Sequence, residues 1–84
     1  MKILVADAER PFLTKLSEIL AELVPGSEII PIINCGEFME YKQKGGFDAA
    51  FIDIVIGKDS GIEPALELKK HSPRCNMIFL SAHI

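Results

Sequence analysis

A chain of 84 residues, 49% apolar and with a net charge of −3, has the composition of one small globular domain and not of a disordered segment. Acidic and basic residues are interspersed, which argues against direct nucleic-acid binding, since such a surface shows a basic patch or stripe. No apolar run approaches the roughly 20 residues of a membrane span, and the apolar start Ile3-Leu4-Val5 is too short for a secretory signal, so no membrane association is expected and the cytoplasm is the default compartment.

Lys2 to Ala6 reads as a buried strand ended by Asp7. From Pro11 the pattern turns helical, with Phe12, Leu16, Ile19, Leu20, Leu23 and Val24 at three- and four-residue spacing, until Pro25-Gly26 stops it. Ser27 to Ile33 is a second strand. Pro31 lies inside it and cannot donate to a central ladder, which places this strand at a sheet edge. Asn34 with Glu37 three residues on has the form of a capping box, so a short helix is expected to run to about Lys44, before Gly45-Gly46.

Asp48 to Ile54 is the third strand, and its run Ala49-Ala50-Phe51-Ile52 ends in one carboxylate, Asp53. The segment Ile54 to Gly61 reads as a loop. Ile62 to His71 is the third helix, with Pro64 in its first turn and Lys69, Lys70 and His71 at the negative end of its dipole. Pro73 prevents continuation, and Asn76 to Ser81 is the fourth strand. Cys35 and Cys75 fit no metal or redox spacing and read as small, partly buried hydrophobes, so no structural zinc site is expected.

Strand-helix units repeated three times, then a strand, predict an α/β fold: a doubly wound parallel sheet with helices on both faces. With the second strand at an edge, the spatial order is 2-1-3-4. The direction of winding reverses between the first and third strands, where ligands bind at the carboxyl ends. Asp7 and Asp53 should face each other there, with Ser81 beyond the fourth strand. A lone Asp53 would read as a strand-ending residue. Facing carboxylates raise each other's proton affinity unless a cation intervenes, oxygen ligands without soft partners favour Mg²⁺, and such a carboxylate can accept a phosphoryl group as a nucleophile.

Lys2-Ile3-Leu4-Val5-Ala6-Asp7-Ala8-Glu9, Phe51-Ile52-Asp53-Ile54 followed by Gly61-Ile62-Glu63, and Ile78-Phe79-Leu80-Ser81-Ala82 together resemble the receiver domain of two-component response regulators, a flavodoxin- or CheY-like fold. The resemblance runs the length of the chain. It implies that Asp53 is the phosphoacceptor for a sensor histidine kinase, and that Mg²⁺ is held by Asp7, Asp53 and the Val55 backbone carbonyl. It also implies that Ser81 is the switch hydroxyl.

The chain departs from that family pattern in three places. Ala8 stands where the family has a second acidic residue, which weakens the metal site without removing it; Glu9 reads first as a helix-start carboxylate, with compensation for Ala8 at the metal site as the alternative. Gly57 stands where the family usually has proline. The family's further helix, lysine-bearing fifth strand and last helix have no counterpart after the fourth strand, and Lys58 is no obvious substitute for that lysine. Residues 1–84 are accordingly expected to be a receiver-like domain incomplete at its carboxyl end. An apolar fourth strand at a sheet edge then predicts a homodimer or higher assembly through that strand or the uncovered sheet face.

The sequence thus predicts a phosphoacceptor module and not an enzyme: a Gly-rich phosphate loop, a nucleophile elbow and a metal-ligand cluster are all lacking. The competing expectation is a degenerate pseudo-receiver acting by protein binding or dimerisation, favoured by Ala8 and the missing lysine. Phe12, Phe51 and Phe79 are expected in the core, His71 and His83 on the surface, and Asp59 in service of its loop.

Overall fold

The computed structural model describes residues 1–41 and 44–81. Its elements are β1 (Lys2–Ala6), α1 (Arg10–Leu23), β2 (Glu28–Ile32), α2 (Cys35–Tyr41), β3 (Ala49–Asp53), β4 (Val55–Ile56), β5 (Asp59–Ser60), α3 (Ile62–His71) and β6 (Asn76–Leu80). Four strands form one parallel sheet in the order β2-β1-β3-β6. This is the predicted 2-1-3-4 order, with β6 as the fourth main strand.

The composition of β1 follows from its position. Leu4 and Ala6 face a core shared with Phe38 of α2 and with Ala65 and Leu68 of α3. Ile3 and Val5 face a second core shared with Leu13 and Leu20 of α1. A parallel strand covered on both faces must be apolar at consecutive positions. β2 pairs with β1 alone, and Pro31 sits in it exposed, as an edge position allows.

The helices depart from expectation where periodicity alone was ambiguous. In α1 the stripe against the sheet is Leu13, Leu16, Leu20 and Val24. Phe12, Ile19 and Leu23 each precede a member of that stripe by one residue, about 100° round the helix, and are 45%, 40% and 72% exposed. The expected core role of Phe12 is thereby corrected. At α2, Asn34 Oδ1 accepts the Glu37 N–H at 2.9 Å, and Glu37 Oε1 accepts the Ile33 N–H at 2.8 Å. The expected cap forms, with its return bond one residue earlier than the N-cap's own N–H. The helix is shorter than predicted: Lys44 is not helical, and Lys42 and Gln43 lie outside the described residues. The bounds of α3 are those predicted, and His71 is exposed at its end.

The segment read as a loop contains a small antiparallel hairpin, β4 against β5. Its two-residue turn is Gly57-Lys58, and Gly57 has φ +65°. A positive φ at the first central residue is the requirement of a type II′ turn. Ile56, 2% exposed, anchors the hairpin in the core under α2 and α3.

β6 is only half covered. Ile78 and Phe79 are 39% and 44% exposed because the strand is last in the sheet and pairs on one side only among the described residues. Phe79 is therefore not the core residue it was expected to be, whereas Phe51 packs half-buried on the α1 side. Ala82 and His83 lie outside the described residues.

The α1 stripe has a direct check. Leu13→Ala should lower unfolding stability in urea by about 2–5 kcal/mol, and Leu23→Ala should change it by less than about 0.5 kcal/mol. The reverse ranking would contradict the helix orientation.

Candidate functional site

The site follows from the pairing of β1 with β3. Ala6 lies beside Ile52, so the next residues, Asp7 just past β1 and Asp53 at the end of β3, come together at the sheet's carboxyl edge. Asp7 is 5% exposed. Its N–H donates to the Ile32 carbonyl at 3.0 Å, and its Oδ1 accepts the Glu9 N–H at 2.8 Å. Asp53 Oδ1 accepts the Val55 N–H at 3.2 Å. Each carboxylate thus fixes the start of its own loop by bonding a backbone N–H two residues on.

The two carboxyl groups line the same crevice and interact. Burial pushes the Asp7 carboxyl above its ordinary pKa of 3.8. The Glu9 N–H opposes this, while the charges of Asp53 and Glu9 and the hydrogen bond with Asp53 add to it. Two partly desolvated carboxylates this close favour either a shared proton or a cation.

Asp7, Glu9, Phe12, Asp53, Leu80 and Ser81 line a crevice of about 190 Å³. The structure therefore brings together Asp7, Asp53 and Ser81, the three residues singled out in the sequence. Phe12 is an addition, and Glu9, whose first reading was a helix-start carboxylate, also lines the crevice. Glu9 is the N-cap residue of α1, yet its side chain makes no capping bond. It and Phe12 are three residues apart and so share a face of the first turn, a spacing that could have flagged Phe12. Val55 is tied to the site through its N–H but does not line the crevice. Lys58 stands in the exposed hairpin turn, and among the described residues no lysine or arginine lines the crevice.

The donor set is all oxygen, which suits a hard cation. Among the described residues no three His, Cys, Asp or Glu side chains are gathered closely enough to hold a metal ion on their own. Two facing carboxylates nevertheless match Mg²⁺, which is bound by one or two carboxylates and retains waters.

Neither thiol is activated by its surroundings. The Cys75 thiol is buried and pushed up by burial, and Cys35 is pushed up by burial and by Asp59. A larger open groove of about 1050 Å³ separates α2 from α3. It carries both signs of charge, Glu63 and Lys70 among them, and none of the residues facing Asp53.

No protein-family model and no curated protein sequence matches the chain. Solved structures do. The response regulator protein TrrA from Thermotoga maritima, in complex with Mg²⁺-BeF, superimposes with a TM-score of 0.80 and 33% identity, over 98% of this chain and 70% of that one. The chain belongs to the response regulator receiver family. A second structure of TrrA, in complex with the histidine kinase ThkA, matches this receiver at 32% identity and a TM-score of 0.78, again over 70% of TrrA. A response regulator protein from Burkholderia pseudomallei, with a phosphorylated aspartic acid, calcium ion and citrate, shares the fold at a TM-score of 0.87 and 22% identity. The receiver described here spans 48% of that protein and 64% of the DrrB receiver domain.

The raised Asp7 pKa gives a pH test. The folded receiver holds the Asp7 proton more tightly than the unfolded chain does, so stability falls as pH rises from the ordinary value of 3.8 through the raised one. Asp7→Asn keeps the acceptor for Glu9 and removes the charge. Without added metal it should be more stable than wild type at pH 7, with the difference shrinking at pH 4. A pH-independent difference in urea midpoint would contradict this.

Proposed function

We propose that this receiver accepts a phosphoryl group on the Asp53 carboxylate from a phosphohistidine of a sensor histidine kinase. The observation that carries this reading is the Asp7–Asp53 pair at the ends of adjacent parallel strands, with the Ser81 hydroxyl across one small crevice. Support comes also from TrrA, which is seen with Mg²⁺-BeF and in complex with the histidine kinase ThkA.

In the transfer, an Asp53 carboxylate oxygen forms the new bond to phosphorus. The bond from phosphorus to the kinase imidazole nitrogen breaks, and its electron pair returns to that nitrogen. An acyl phosphate results, and no separate substrate is turned over. The Asp7 and Asp53 carboxylates and the Val55 carbonyl would hold Mg²⁺, while Ala8 supplies no carboxylate. When bound, the ion neutralises charge on the transferring oxygens. Asp7 is kept in place by the Glu9 N–H and Asp53 by the Val55 N–H, so both are oriented before a donor arrives. The Ser81 hydroxyl donates to a phosphoryl oxygen, which makes it the switch residue. The cytoplasm is the compartment that fits a kinase-coupled module, and no described helix is long and apolar enough to cross a membrane.

A second reading rests on Ala8 and on the lack of a described basic side chain at the crevice: a pseudo-receiver that works by binding. Self-association would use β6, which among the described residues pairs on one side only and exposes Ile78 and Phe79 on its two faces. Edge strands of this kind pair with other chains.

Incubation with Mg²⁺ and acetyl phosphate should add one phosphoryl group by intact mass, and Asp53→Ala should abolish the gain. An unmodified wild type would leave only the binding module. Light scattering at high micromolar concentration should show a dimer or larger species, and a stable monomer there would rule out assembly through β6.

A further inference from the structure

Gly61 is buried immediately before α3, at φ −81° and ψ −8°. Those angles are open to every residue, so glycine is not required here for backbone freedom. What the position lacks is room. A Cβ on Gly61 would overlap the carbonyl oxygen of Asp53, and would lie 3.3 Å from that carbonyl carbon and 3.1 Å from Ile52 Cγ2. The overlapping atom is backbone and cannot swing aside as a side-chain terminus could.

The peptide between Asp53 and Ile54 is held on its other side as well: the Ile54 N–H donates to the Leu80 carbonyl at 3.0 Å, beside Ser81. On the next peptide, the Gly61 N–H donates to the Ile54 carbonyl at 2.8 Å. The Asp53 carboxylate is in turn aimed by the Val55 N–H, on the residue after this clamp. Start of helix, end of β6 and acceptor residue therefore meet on two successive peptides, Asp53–Ile54 and Ile54–Val55.

We infer that Gly61 is a positioning residue for phosphoryl transfer: its bare Cα lets the start of α3 close on the Asp53–Ile54 peptide and so fixes the direction of the Asp53 carboxylate into the crevice. The inference rests on Asp53 being the acceptor. A methyl group at position 61 must displace the Asp53 carbonyl, and a misplacement of about 1 Å at a reacting group costs on the order of a hundredfold in rate.

The test compares Gly61→Ala with Leu20→Ala, a core truncation on the opposite face of the sheet, at a temperature where circular dichroism shows both folded. At saturating acetyl phosphate and Mg²⁺, Gly61→Ala should be phosphorylated roughly tenfold to a hundredfold more slowly than wild type. Leu20→Ala, destabilised without any atom added near Asp53, should stay near the wild-type rate. Equal rates for wild type and Gly61→Ala, or equal losses in the two variants, would overturn the inference while leaving Asp53 as acceptor. A wild type that takes no phosphoryl group removes both. Should Gly61→Ala not fold, the wild-type Gly61 amide resonance decides: it should shift when Asp53 is phosphorylated, and an unmoved resonance overturns the role.

Discussion

The pairing of β1 with β3, Ala6 beside Ile52, is the constraint on which the rest of the site depends. Both strands are covered on both faces, so a slip of one residue would send Leu4 and Ala6 to the α1 side and Ile3 and Val5 to the α3 side. A slip of two would keep the faces but separate the carboxylates. That slip is opposed at the other end of the strands, where the Lys2 N–H donates to Asp48 Oδ2 at 2.7 Å and the Asp48 N–H donates to the Lys2 carbonyl at 2.8 Å. The register that packs the two cores is thus the one that sets Asp7 against Asp53.

That placement has an electrostatic cost. A nearly buried carboxyl beside a second one is relieved by a proton, a cation or a transferred group with its counter-ion. The two loops that leave the strands hold the pair in place through single backbone bonds. Around the pair, α1 contributes Glu9 and Phe12, and β6 contributes Leu80 with Ser81 just past its end. The crevice is therefore walled by elements from both ends of the described chain, and its geometry depends on the whole sheet.

Strand order, the bounds of α3 and the meeting of Asp7, Asp53 and Ser81 were legible in the sequence because each follows from a local rule: unbroken apolar runs, a proline at an edge, charges at a helix end. The missed features depend on contacts between distant residues. Phe12 and Leu13 are both apolar and one residue apart, and only docking against Ile3 and Val5 decides which is buried. The β4–β5 strands are two residues each, too short for an alternation signal, and Ile56 reveals them only by its place in the core. Gly61 could be matched to a family motif, but its lack of room exists only once α3 lies against β3. Ala8 was legible as a departure from the family pattern, whereas Glu9 had two open readings in the sequence and only the packing of α1 shows that it lines the crevice.

The claim at the centre is that the Asp53 carboxylate, with Asp7 beside it, receives a phosphoryl group. Fluorine NMR of the wild-type chain with beryllofluoride addresses the claim most directly, since this phosphoryl mimic needs the acceptor oxygen and the cation together. Bound fluorine signals that arise only when Mg²⁺ is present, and that vanish in Asp53→Asn, are the expected result. Free beryllofluoride signals alone in the wild type, or bound signals that survive in Asp53→Asn, would contradict it.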